Sequence, residues 1–226
     1  MIIRKAEKPK TYRNNLRRLF IFFFLFAFWS GFSQKDVKGS QKKLKKIGVL
    51  YNSAKQNNIL FFDKDYDYKT NALKVQLFYH LRKGKKWDMN LIVQPQFQIA
   101  NHQLLNRFFV TPDKPYFQEL DRLVQKRTIS LYVFELGFQL RRKLFHQVYF
   151  ETTLGLGAGY IDKGTERLAQ GFTFIENLSV GLAHTWFHNE IYIGANVGHV
   201  SNFNIQLPNS GYNIFGFEVG YRMFIN

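Results

Sequence analysis

The chain has 226 residues and a formal charge of +16. Aromatic residues make up 18 % of it, with 25 Phe and 12 Tyr. It has no Cys, which excludes disulfides, zinc–thiolate sites, lipid attachment through a thioether and thiol catalysis. The length allows one domain with a sizeable core or one mid-sized barrel, and so high an aromatic content suits aromatic girdles better than an ordinary helical domain.

Residues 1–33 read as a cleavable signal peptide. Seven basic residues (Arg4, Lys5, Lys8, Lys10, Arg13, Arg17 and Arg18) stand against Glu7, an apolar run follows from Leu19 to Trp29, and Ser30, Gly31, Phe32 and Ser33 end the segment. That order is the export pattern, and the run is too short for a comfortable transmembrane helix, which needs roughly 20 apolar residues. Its removal would leave a charge of +10. Such a charge favours anionic membrane surfaces, lipid phosphates or nucleic acid. Export argues against nucleic acid, and no zinc-finger spacing, phosphate loop or dinucleotide fingerprint is present. Residues 34–46 are polar and Lys-rich and are expected to form a flexible lead, with the run Lys42–Lys46 as a solvated end.

From residue 47 onward the pattern is that of strands. A first is expected over 47–62, a polar loop over 63–68, a second strand over 71–81, a basic turn at 82–86 and a third strand over 87–102. Residues 104–127 are mixed, with a helical piece expected within 117–125. The alternation then sharpens. Tyr132, Phe134, Leu136, Phe138 and Leu140 share a face opposite Glu135, Gly137, Gln139 and Arg141. Strands over 148–160 and 172–186 repeat this, with Glu176 as the one carboxylate on an otherwise apolar face. The turn Phe187–His188 leads to a seventh strand over 191–202. Ile191, Ile193, Ala195 and Val197 lie on its apolar face, and His199 and Ser201 continue that face. A loop runs to residue 211, and the eighth strand runs from 212 almost to the end. A two-residue turn at Phe187–His188 would pair Trp186 with Asn189 and place Glu176 opposite His199. His80, His102, His146, His184 and His188 have no metal-like spacing and read as interfacial or turn residues.

Eight strands joined by alternately short and long connections imply an all-β fold, an eight-stranded antiparallel transmembrane β-barrel over residues 47–226. A soluble lipocalin-like barrel would instead turn its apolar face inward. Glu135, Gln139, Glu151, Glu218 and Arg222 share the other face with glycines, as a polar plug in a narrow interior would require. An even strand number puts both termini in the periplasm, so His199 and Ser201 fall at outer-leaflet depth, facing lipid. A His and a Ser two apart on one strand face are neighbours and so are candidates for a base–nucleophile pair.

His199-Val200-Ser201-Asn202 followed by Pro208-Asn209-Ser210-Gly211 resembles the signature of the outer-membrane lipid A 3-O-deacylases, His-x-Ser-Asn and then Pro-Asn-x-Gly shortly before the last strand. The match covers Gly198–Tyr221. The resemblance implies a small barrel in the bacterial outer membrane whose partner is lipid A of lipopolysaccharide. It implies a serine esterase that removes an ester-linked acyl chain with no metal or cofactor, a basic rim meeting the lipid phosphates. It makes Ser201 the nucleophile, His199 the base and Asn202 the neighbour that helps build the oxyanion hole. Two positions depart from the pattern: Asn204 stands where the family usually has Gly, and Asn213 stands at the acid position. An Asn can orient an imidazole but cannot stabilise its cation by charge. Glu176 is the second candidate for the acid. The alternative to an enzyme is a non-catalytic structural or adhesion barrel.

Overall fold

The computed structural model describes residues 44–225 except residue 115. The expected signal segment and residues 34–43 of the polar lead lie outside the described residues. Eight antiparallel strands close into one barrel in sequence order: β1 (Leu44–Lys55), β2 (Tyr66–Lys83), β3 (Asp88–Leu104), β4 (Arg127–Phe145), β5 (Val148–Ile161), β6 (Gly171–Trp186), β7 (Asn189–Ser201) and β8 (Tyr212–Phe224). β1 pairs with β8 to complete the ring. Short turns join β2 to β3, β4 to β5 and β6 to β7, while the loops 56–65, 105–126, 162–170 and 202–211 at the other end are longer.

The alternation works as expected. Large apolar side chains such as Val49, Leu73, Phe134, Leu154, Leu182, Ile193, Phe217 and Val219 are exposed on the outside. No described helix is long and apolar enough to cross a membrane; the strands carry the apolar belt, which rules out the lipocalin-like alternative. Trp87 packs edge-on to Phe150, and Trp186 lies beside Tyr221, forming an aromatic girdle at the short-turn end.

The lumen is layered. At the short-turn end Arg222 bonds Glu151 at 2.6 Å and Glu190 at 3.0 Å, Arg141 bonds the same two carboxylates at 2.7 and 2.5 Å, and Lys46 reaches Glu190 at 2.8 Å. All five side chains are buried. Midway, Glu135 accepts hydrogen bonds from Gln94, Gln96, Asn177 and Lys74. Gly155 makes this possible, since a Cβ there would meet the Glu135 Oε1 at 2.0 Å. At the long-loop end the filling turns apolar: Leu131, Ile161, Ile175, Val200 and Ile214 pack around Tyr68, which stacks on Tyr212 at 4.0 Å.

Several expectations are corrected. The barrel starts at Leu44, and Lys46 is not a solvated end but a buried cation held by Glu190. β1 stops at Lys55 because the Asn58 amide folds the chain into a loop, accepting from the backbone N–H of Leu60 and Phe61 and donating to the carbonyl of Lys55. β2 begins at Tyr66, inside the expected polar loop, because Tyr66 and Tyr68 point into the apolar lumen between outward acidic residues. His102 is not interfacial. It is buried and contacts Glu166 at 2.9 Å. Only residues 117–123 of the expected helical piece are helical.

Candidate active site

The site is a patch of the outer wall near the long-loop end. The β6–β7 ladder pairs Trp186 with Asn189 and therefore Glu176 with His199, as the two-residue turn requires. The β7–β8 ladder pairs His199 with Asn213. One row across three strands thus reads Glu176, His199, Asn213, all on the outward face. Ser201 follows two residues along β7, opposite Phe174. The inward neighbours Val200, Tyr212 and Ile214 are almost fully buried, so the patch rests on packed core.

His199 Nδ1 lies 2.7 Å from Asn213 Oδ1. An amide oxygen only accepts, so Nδ1 donates the proton and Nε2 keeps its lone pair. That tautomer is the one a general base needs. Glu176, on the other flank of His199, is exposed, and its carboxylate bonds no described residue. The Ser201 hydroxyl likewise has no hydrogen-bond partner among the described residues; its carbonyl is fixed by Thr173 Oγ1 at 2.9 Å. Long or unmade hydrogen bonds between such groups are common in structures without substrate. Phe174 and Phe203 pack edge to face at 4.4 Å and wall the serine with aromatic surface.

Asn202 and Asn204 shape the loop beyond the serine. The Asn202 backbone N–H donates to Asn209 Oδ1 at 2.7 Å, its side-chain Nδ2 donates to the Gln206 carbonyl at 2.8 Å, and its Oδ1 accepts from the Asn204 N–H at 3.1 Å. The backbone N–H and one of the two Nδ2 hydrogens are thus spent inside the loop, so the oxyanion role expected of Asn202 falls to its second Nδ2 hydrogen. Asn204 has φ +61°. This is the left-handed region, where Asn is among the best-tolerated residues after Gly; its place in a pattern that favours Gly is conformationally sound.

Three neighbours were given no role at the site by the sequence reading. Gly211, at φ +64°, lies against the imidazole: a Cβ there would meet the Val200 carbonyl at 2.4 Å and His199 Cε1 at 3.0 Å. Arg167, from the β5–β6 loop, donates through Nε to the Gly211 carbonyl at 2.7 Å, accepts the N–H groups of Ser210 and Gly211 on its own carbonyl, and stacks its guanidinium 4.4 Å above Tyr66. Buried Gln56 accepts the Asn213 N–H at 2.8 Å, prolonging the β1–β8 ladder by a side chain. Only Gly211 had a signal in the sequence, as the last residue of Pro-Asn-Ser-Gly. Among the described residues, no group of His, Asp and Glu could hold a metal ion.

A family model described as lipid A 3-O-deacylase (PagL) matches residues 71–222. No curated protein matches the sequence significantly. Among solved structures, the outer membrane enzyme PagL superposes with a TM-score of 0.52 at 12 % identity, covering 80 % of this chain and 99 % of that one. Neisserial surface protein A gives 0.45 at 13 % identity over 80 % and 97 % of the two chains, and Ail of Yersinia pestis 0.35 at 13 % over 80 % and 100 %. The likeness to the enzyme shows a shared fold, and the family model spans well over half of this sequence. The chain is an outer-membrane β-barrel that belongs to the lipid A 3-O-deacylase (PagL) family.

Proposed function

We propose that the protein is a serine esterase that hydrolyses an ester-linked acyl chain of lipid A in the outer leaflet, with its long-loop end outside the cell. The observation that carries this reading is the outward row itself: His199 is held by Asn213 with Nε2 free to act as base, and Ser201 lies on the same lipid-facing stripe.

The chemistry divides into two acyl transfers. His199 Nε2 takes the proton of the Ser201 hydroxyl as its oxygen attacks the ester carbonyl. The tetrahedral adduct collapses, and the leaving sugar oxygen receives that proton from the imidazolium. Water, deprotonated by the same nitrogen, then cleaves the acyl-serine; the fatty acid departs and the Ser201 hydroxyl is restored. Asn213 fixes the ring but brings no charge. Glu176, directly across the ladder from His199, supplies the negative charge that favours the imidazolium, at the ~5 Å Cβ separation of opposed residues. A carboxylate on the lipid face is costly unless it lies near the interface or has a partner, and the imidazolium provides that partner during turnover.

Protein refolded in detergent should release fatty acid from purified lipid A, and Ser201→Ala and His199→Gln should each lower the rate by about 10³-fold or more. A folded wild-type barrel that releases none would leave the non-catalytic reading.

A further inference from the structure

A groove of about 590 Å³ lies on the outer wall one strand beyond Asn213, between the barrel and the loop 56–65. Its walls include Phe215 and Phe217 of β8, Lys55 of β1, Lys69 of β2 and Ile59 of the loop. The strand register lines up Phe215, Lys55, Lys69 and Asn101 in one row across β8, β1, β2 and β3. Phe215 is two residues from Asn213 on the same face, so the groove is continuous with the stripe that carries His199.

The groove has two chemical halves. Phe217 and Ile59 are 65 % and 89 % exposed, an apolar surface suited to an alkyl chain. The overhanging loop is built rather than loose, because Asn58 makes four hydrogen bonds to its backbone. Lys55 and Lys69 add two cations in adjacent paired positions. Asp67 is the carboxylate close to them, 3.7 Å from Lys69 Nζ; an exposed pair of this kind holds the lysine weakly. Adjacent strands are ~4.8 Å apart, so Lys55 and Lys69 stand roughly 10 and 14 Å across the wall from β7. That is too far to touch the ester at Ser201 and is the scale of a sugar headgroup.

We propose that Lys55 and Lys69 form a subsite for a phosphoryl group of the lipid whose ester is presented to Ser201, with an acyl chain along Phe215, Phe217 and Ile59. The inference rests on the deacylase reading and adds how the substrate is held.

The test compares lipid A carrying its phosphates with the same lipid A after chemical dephosphorylation, using wild type and the Lys55→Gln/Lys69→Gln double variant. Wild type should have a KM about 10- to 100-fold lower for the phosphorylated lipid, the scale of one or two charge-assisted hydrogen bonds. The double variant should treat the two lipids alike with kcat preserved. Equal loss on both lipids, or no loss, would overturn the subsite. A second arm measures retention of both lipids on the Ser201→Ala barrel by native mass spectrometry, so it does not need turnover. Retention that depends on phosphate and on both lysines would uphold the subsite even if wild type proved inactive, which would sink only the deacylase reading. Retention indifferent to phosphate would overturn the subsite. Displacement of the lipid by phosphatidylglycerol micelles or by inorganic phosphate at equal concentration would also overturn it, marking a site for any phosphate.

Discussion

The two ends of the barrel solve opposite problems. At the short-turn end the polar chemistry is inside: Lys46, Arg141 and Arg222 grip Glu151 and Glu190, while the outside carries aromatic rings such as Trp87 and Trp186. At the long-loop end the polar row is outside, and much of the inside is packed with Leu131, Ile161, Ile175, Val200 and the stacked Tyr68 and Tyr212. The difference shows how a narrow barrel can carry a polar row on its outer wall. Where the outer face holds a polar row, the lumen behind it is filled with close-packed apolar side chains that leave the strands little freedom to shift.

This contrast can be broken by moving one end without the other. Glu151→Gln removes a carboxylate from a buried network and should lower stability by about 3–5 kcal/mol, read from denaturant unfolding in detergent micelles. Deacylation per folded molecule should stay within about twofold, because the network lies away from His199. A folded variant with no activity would show that the two ends are coupled.

Asn213→Ala leaves the lumen intact but frees the imidazole. We expect a loss of about 10²-fold in kcat with KM nearly constant, and little change in the unfolding midpoint. Gly211→Ala should act in the same direction, since a methyl group there presses on the Val200 carbonyl and the His199 ring. An unchanged kcat in both would mean that ring orientation does not limit the reaction.

The smallest effect is expected at Glu176. Glu176→Gln should cost about 3- to 10-fold in activity, and adding Asn213→Asp should recover it by moving the charge to the other flank of His199. Full activity in the single variant would remove Glu176 from the mechanism.

Much of this geometry was legible in the sequence. Alternation over 132–140 and 172–186 gave the outward face, and the two-residue turn at Phe187–His188 set the register that brings Glu176 opposite His199. What stayed hidden depends on chain segments far apart. Lys46 turns inward because barrel closure brings it to Glu190, 144 residues away. Arg167 reaches Gly211 because two long loops interlace, with Leu168 bridged to Asn209. Local periodicity carries no trace of either. The same holds for Gln56, which lies within the first expected strand and whose bond to the Asn213 N–H appears only once β8 is seen beside it.

The most direct test is mass spectrometry of lipid A from bacteria that express the wild-type barrel or Ser201→Ala at equal levels in the outer membrane. We expect wild type to convert a fraction of lipid A to a species lacking one ester-linked acyl chain, and the alanine variant to leave lipid A unaltered. An unaltered profile with folded wild-type protein, or the same loss with the alanine variant, would contradict the assignment of the outward His199–Ser201 stripe as the active site.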